Sequence, residues 1–192
     1  LTGASHPRCD FRHTQSTTAM VTGARSIAVV DCVCRKSQRG CDAPVNVCLQ
    51  LNRGADYALK RGTGRKVDVE EALAILKTAE DAGLVHLTEN RSGQGNVLCN
   101  CCTCCCEMMR FAKDVKTGGV LSPSRYLASV DEALCTSCGA CVEICPMGAI
   151  ALDDEGGAGV WDSCIGCGLC STVCGAGAIT MTAVREEDFI PG

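Results

Sequence analysis

Apolar residues at 69, 72, 73, 76, 79 and 82 follow the three-and-four spacing of one helical face and predict a helix over residues 69–82. Asp68 is placed to cap its start, with Glu71 three residues on as capping-box partner, and Gly83 supplies the stop. Short apolar runs at 84–88 and 96–99, separated by a Gly/Ser/Asn-rich stretch, read as a hairpin. Residues 26–34 (SIAVVDCVC) have the β-branched content of a buried strand, and alternation along it would set Cys32 and Cys34 on one face. Cys41 and Cys48 follow in a stretch broken by Gly40 and Pro44, which reads as a loop folding back over that face. Residues 107–113 read as a further helix, and 122–126, with Pro123, as a linker.

Beyond that linker the pattern repeats itself. The run Cys135-Thr-Ser-Cys138-Gly-Ala-Cys141-Val-Glu-Ile-Cys145 returns 29 residues later as Cys164-Ile-Gly-Cys167-Gly-Leu-Cys170-Ser-Thr-Val-Cys174. Such a repeat predicts a pseudo-two-fold unit. In each copy a loop leads into a helical turn and then a strand, at 149–152 and 178–182, with an acid- and glycine-rich turn between them at 153–159. The fold class expected is α+β, with an N-terminal extension (1–25), a small Cys-rich domain of strand, helix and hairpin (26–121), a linker (122–130) and the repeat domain (131–192).

Composition sharpens this picture at one point. The 192 residues include 19 cysteines and only 3% aromatics, so staples replace part of an ordinary core. Disulfides suit the spacing poorly, because the count is odd and several cysteines are adjacent (Cys101-Cys102, Cys104-Cys105-Cys106). Metal–thiolate chemistry is the better reading. The net charge of −4 conceals a split: residues 1–130 carry 17 basic against 12 acidic side chains, whereas 131–192 carry only Arg185 against 10 acids. An acidic half of this kind steers towards basic patches on a protein partner and argues against nucleic acid there. The helix and hairpin could belong to a winged-helix DNA binder, but no basic recognition helix precedes them. No run approaches a membrane span and no signal peptide is evident, so a cytoplasmic protein is expected. Because the first residue is Leu1, the chain is expected to be a portion of something longer.

The spacing C-x2-C-x2-C-x3-C places three thiolates on one tight loop, while the fourth reaches a second cluster. One 4Fe-4S cluster is therefore expected on Cys135, Cys138, Cys141 and Cys174, and another on Cys164, Cys167, Cys170 and Cys145. Zinc sites instead tend to combine two Cys pairs across a longer insert. Small residues between the ligands (Gly139, Ala140, Gly166, Gly168) would let backbone amides reach the sulfurs. Consecutive side chains diverge, so Cys99, Cys101, Cys102, Cys104, Cys105 and Cys106 cannot all face one centre.

With its eight matching cysteines, the stretch 131–184 resembles the bacterial two-cluster ferredoxins, departing from their pattern where Gly175 replaces a proline after Cys174. The upstream half resembles the Cys-rich region of ferredoxin-like iron–sulfur proteins of anaerobic microbes, through Cys32-Val-Cys34-Arg35, Cys41-Asp-Ala-Pro44, Cys48, Ala82-Gly83-Leu84-Val85-His86 and the 99–106 cysteines. That family brings no established reaction.

The upstream thiols Cys32, Cys34, Cys41, Cys48, Cys99, Cys101, Cys102, Cys104, Cys105 and Cys106, with Cys9, are enough for one or two further iron–sulfur clusters or a larger non-cubane one, with a few left as buried apolar groups. Arg35, Lys36 and Arg39 would stabilise an anionic centre among them. His86 reads as a hairpin surface residue, and Met108 and Met109 as packing beneath a cluster. The glycines at 62–64 and 93–95 read as turns.

The function expected is single-electron relay to a partner redox protein or oxidoreductase complex. A reductase with an unusual N-terminal cluster and a redox-sensing regulator are the alternatives.

Overall fold

The computed structural model describes residues 17–89, 95–115, 124–154 and 156–185. The readings for Cys9, Gly93 and Pro123 lie outside the described residues. Five strands, β1 (Ile27–Val30), β2 (Cys48–Leu51), β3 (Gly64–Lys66), β4 (Val85–Thr88) and β5 (Val97–Cys101), make one antiparallel sheet in the order β3-β1-β2-β5-β4. Helices α1 (Thr17–Thr22), α2 (Val33–Gln38), α3 (Arg53–Lys60) and α4 (Val69–Asp81) accompany it, and α5 (Glu107–Val115) follows it.

Alternation along the strands decides what each face buries. Ile27 and Val29 of β1, Leu49 and Leu51 of β2 and Leu98 of β5 pack with Met20 and Val21 of α1 and Ala72 and Leu76 of α4. Ala28 points the other way and meets Ala55 and Ala58 of α3. At the start of α4 the Asp68 carboxylate accepts the Glu71 N–H at 2.8 Å, a cap that contributes about 1 kcal/mol. Glu71 does not return the bond as a capping box would; its carboxylate pairs with Arg65 at 2.6 Å. The helix ends before Gly83, whose φ of +70° carries the chain out of it. Periodicity does not reveal β2 and β3, which are only four and three residues long.

The expected strand over 26–34 is shorter in the structure. It stops at Val30, and the Lys36 N–H bonds to the Cys32 carbonyl at 3.0 Å, closing the first turn of α2. Cys32 caps that helix and Cys34 lies within it, so the two thiols are joined by a helical turn rather than a strand face.

In the C-terminal half β6 (Tyr126–Val130) pairs with β9 (Ile179–Ala183), and β7 (Ile150–Leu152) pairs with β8 (Ala158–Val160). Each copy of the repeat contributes one short helix, α6 (Ala140–Ile144) or α7 (Leu169–Val173), entered through a left-handed glycine at 139 or 168. The reading of 122–130 as a linker is corrected over its described part. Tyr126–Val130 is a strand because every residue of it finds a partner in β9. The whole is a mixed helix-and-strand chain. Among the described residues no helix is long and apolar enough to cross a membrane.

Candidate metal centres

Two near-equal cavities lie in the C-terminal half. The first is lined by Cys135, Cys138, Cys141 and Cys174 together with Val130, Leu152 and Ile179. The second is lined by Cys145, Cys164, Cys167 and Cys170 with Pro146, Met147 and Ile150. Each thus gathers three thiols from one copy of the repeat and the fourth from the other copy. Soft thiolates around an apolar-walled space are the donor set an iron–sulfur cluster takes. Backbone amides already address the sulfurs: the Ala149 N–H bonds Cys145 Sγ at 3.2 Å, and the Gly166 N–H bonds Cys164 Sγ at 3.4 Å. Burial, with Cys167, Cys164 and Cys145 nearby, pushes the Cys170 thiol up to about 12, so this thiol surrenders its proton only when a metal takes its place.

Gly166 is where sequence and geometry meet most tightly. Its φ is +67°, and a Cβ there would overlap the Tyr126 carbonyl oxygen. Gly166→Ala is expected to push the ligand loop off β6 and to leave the purified chain about four irons short, as measured by iron analysis. Full loading of that variant would refute the placement.

The ten upstream cysteines separate into two groups. Six of them, Cys32, Cys34, Cys48, Cys99, Cys101 and Cys106, collect at one end of the sheet because the register sets Cys48 beside Val30 and Cys101 beside Val85. Cys99 accepts hydrogen bonds from Cys101 and Cys48, which, with Arg35 nearby, hold its thiol down to about 4 against the effect of burial. The Cys106 thiol, beside Cys101, is likewise lowered, to about 6. Cys34 lies in the field of Cys106, Cys32 and Cys99, and its pKa is raised, chiefly by burial. The other four, Cys41, Cys102, Cys104 and Cys105, have all their sulfurs within 4.8 Å of one another. The divergence expected of adjacent cysteines is visible here: Cys101 and Cys106 go to one group, and Cys102, Cys104 and Cys105 to the other.

Arg35 joins the two groups. It is 3% exposed, and its Nη1 donates to the Asn100 carbonyl at 2.8 Å and to Cys102 Sγ at 3.8 Å. Burial works against its cation, but the Cys102 bond and the fields of Cys32, Cys48 and Cys102 outweigh it, so the guanidinium is held more firmly charged than usual. Among the described residues its Nε and Nη2 are buried without a hydrogen-bond partner. A buried cation with free donors among thiols fits anionic metal centres on both sides. Of the three basic residues expected to serve this role, Lys36 instead pairs with Asp31 at 2.9 Å, and Arg39 is an exposed C-cap.

His86 is a correction: it is 2% exposed and not a surface residue. Its position on β4 opposite Asn100 brings Nδ1 to the Asn100 side chain, while Nε2 meets Glu80 at 3.0 Å. Asn100 also donates to the Val47 carbonyl, next to Cys48, so this one side chain ties β4 to the cysteine end of the sheet. Its only trace in the sequence is its place between Cys99 and Cys101, where alternation turns it away from both thiols. Met109 is fully buried among Val85, Leu87, Cys101, Cys106 and Leu169, whereas Met108 is half exposed.

Residues 127–185 match the family model described as a 4Fe-4S dicluster domain. Over 74 residues, 38% of this chain, the sequence is 32% identical to a component of the ion-translocating oxidoreductase complex of Methanosarcina acetivorans and covers 28% of that protein. Over 37 residues, 19% of this chain, it is 51% identical to a probable ferredoxin of Methanosarcina thermophila and covers 64% of it. The chain therefore spans less than two thirds of the length of these curated relatives.

Proposed function

We propose that this chain, an iron–sulfur electron-transfer protein whose residues 127–185 form a 4Fe-4S dicluster domain, relays single electrons between a docked oxidoreductase and a further centre on its own six-thiol group. One observation carries the reading. Leu169, Ile165 and Cys167, beside the second ferredoxin-type cavity, pack in one apolar cluster with Cys99, Cys101 and Cys106 of the six-thiol group. The thiol sets thus follow one another through packed protein. A bound cluster supplies reversible one-electron exchange. The chain supplies the thiolates, the amide donors to Cys145 and Cys164, and, in Met109, Val85 and Leu169, the side chains that keep water out.

The far end of this series is open. Cys138 is exposed, as is Leu134 (51%) next to Cys135, in a half whose side chains are otherwise strongly acidic. An exposed apolar side chain within an acidic field suits docking against a basic face on a redox partner. The name of the Methanosarcina acetivorans relative supports an oxidoreductase complex as that partner.

Iron and acid-labile sulfide per chain, measured after anaerobic purification, test the reading. At least about twelve of each are expected, four beyond the dicluster domain; about eight would confine the clusters to that domain and overturn the relay to the six-thiol group.

A second reading, a reductase whose unusual cluster sits on the six thiols, is favoured by their number, which exceeds the four a cubane takes. An open cleft is lined by Asp31 and Val33, which flank Cys32 in the chain, and by Lys36 and Tyr57. A change in the EPR signal of the reduced protein on adding a small oxidisable or reducible substrate would separate this reading from a pure relay.

A further inference from the structure

The four-thiol group differs in kind from the other three. We propose that Cys41, Cys102, Cys104 and Cys105 hold a single tetrahedral metal ion, zinc or iron, rather than an iron–sulfur cluster. The inference rests on the metal–thiolate reading above and sharpens it for this one site.

The argument is one of distance. A single ion bound at about 2.3 Å by four thiolates sets the sulfurs at the corners of a tetrahedron with edges of about 3.8 Å. Cys41 Sγ lies 3.8 Å from Cys102 Sγ and 3.8 Å from Cys105 Sγ. The Cys104 thiol completes the set, within hydrogen-bonding reach of Cys41, Cys102 and Cys105. A cluster interposes irons and sulfides between its thiolates and holds them further apart. The same chain provides the comparison: among the described residues, no three thiols of either ferredoxin-type set or of the six-thiol group approach one another this closely. The two ferredoxin-type sets stand open around their cavities, and this one is closed to the size of one ion.

The backbone is arranged to match. Cys102 and Cys105 are spaced C-x2-C on one turn, with the Cys105 N–H turned towards Cys102 Sγ. The Gly40 N–H faces Cys105 Sγ from the opposite loop. Gly40 can approach this closely because it lacks a Cβ, which would stand 3.2 Å from Cys105 Sγ and 3.3 Å from the Cys104 carbonyl oxygen. Four thiolates around a divalent ion leave a net double negative charge, and Arg35, bonded to Cys102, faces it from the protein interior. The ion would pin the loop around Cys41 to the turn at 102–105, two segments that no strand pairing joins.

Metal and sulfide analysis of the full chain and of a Cys41→Ala/Cys105→Ala variant tests this, with zinc and iron both supplied during growth. The variant is expected to lose one metal ion per chain and no acid-labile sulfide; the element lost tells zinc from iron. Loss of about four irons with four sulfides would assign a cubane and overturn the proposal, as would loss of no metal. Should the variant fail to fold, the unaltered chain decides. Zinc-edge X-ray absorption is expected to show four sulfurs at about 2.3 Å with no metal neighbour, or else Mössbauer spectra of iron-57-labelled protein show one isolated high-spin iron apart from the clusters. Absence of both signals sinks the proposal. Sulfide in the unaltered chain reports separately on the dicluster domain, so failure there is a different result.

Discussion

Replacing Cys145 and Cys164 together by alanine is expected to cost the chain about four irons, whereas replacing Cys145 and Cys141 together costs about eight. The reason is the crossed arrangement of the cavities. Cys145 stands in the first copy of the repeat beside Cys141, four residues away in sequence, yet it lines the second cavity with Cys164, Cys167 and Cys170. Cys141 lines the first. Two substitutions at one centre act on a loss already incurred, and two at different centres add. Iron and sulfide analysis of both double variants, beside the single ones, reads the difference directly. If the Cys145/Cys141 variant lost only about four irons and the Cys145/Cys164 variant about eight, each copy of the repeat would bind its own cluster, and the crossed assignment would be wrong.

Arg35→Leu is expected to destabilise the loaded chain by on the order of 3–5 kcal/mol, the cost of stripping the countercharge from buried anionic groups. In a chain of this size that lowers the thermal midpoint by on the order of 10 °C. Metal in the upstream half is expected to fall, while the iron of the dicluster domain stays. The cause is local: Arg35 Nη1 is the donor between the Asn100 carbonyl and Cys102, and its other nitrogens are buried among the thiols of both upstream groups. Arg35→Lys keeps the charge but loses the planar fork, so it is expected to fall between the leucine variant and the unaltered chain. Thermal unfolding followed with metal analysis checks this. A leucine variant with unchanged stability and loading would show that the upstream thiols carry no anionic centre.

What the sequence made legible was whatever depends on local spacing. The α4 helix, with Asp68 before it and Gly83 after it, is written in a period of 3.6 and two terminal residues, and the structure places it at Val69–Asp81. The eight cysteines of the repeat are legible for the same reason, since a short loop carrying C-x2-C-x2-C fixes where three thiols stand. Features that failed to show were those made by pairing. β3 and β6 are strands because β1 and β9 lie beside them, and nothing in three or five residues announces the partner. His86 looked like a hairpin surface residue until Asn100 and Glu80 closed over it.

The cysteine-rich upstream half marks the division most clearly. By itself the sequence determined that its thiols suit metal and that adjacent ones must part company, because side chains on successive residues diverge whatever the backbone does. Which thiol joined which group was decided only by tertiary structure. Cys41 and Cys48 are close neighbours in the chain, yet one closes on Cys102, Cys104 and Cys105 and the other on Cys99. The register of β2 on β5 and the turn after β5 carry them there, and both depend on contacts between segments far apart in the chain. Arg35 is the sharpest case: three neighbouring basic residues were equal candidates in the sequence, and only the one that α2 turned inward lies between the two groups of thiols.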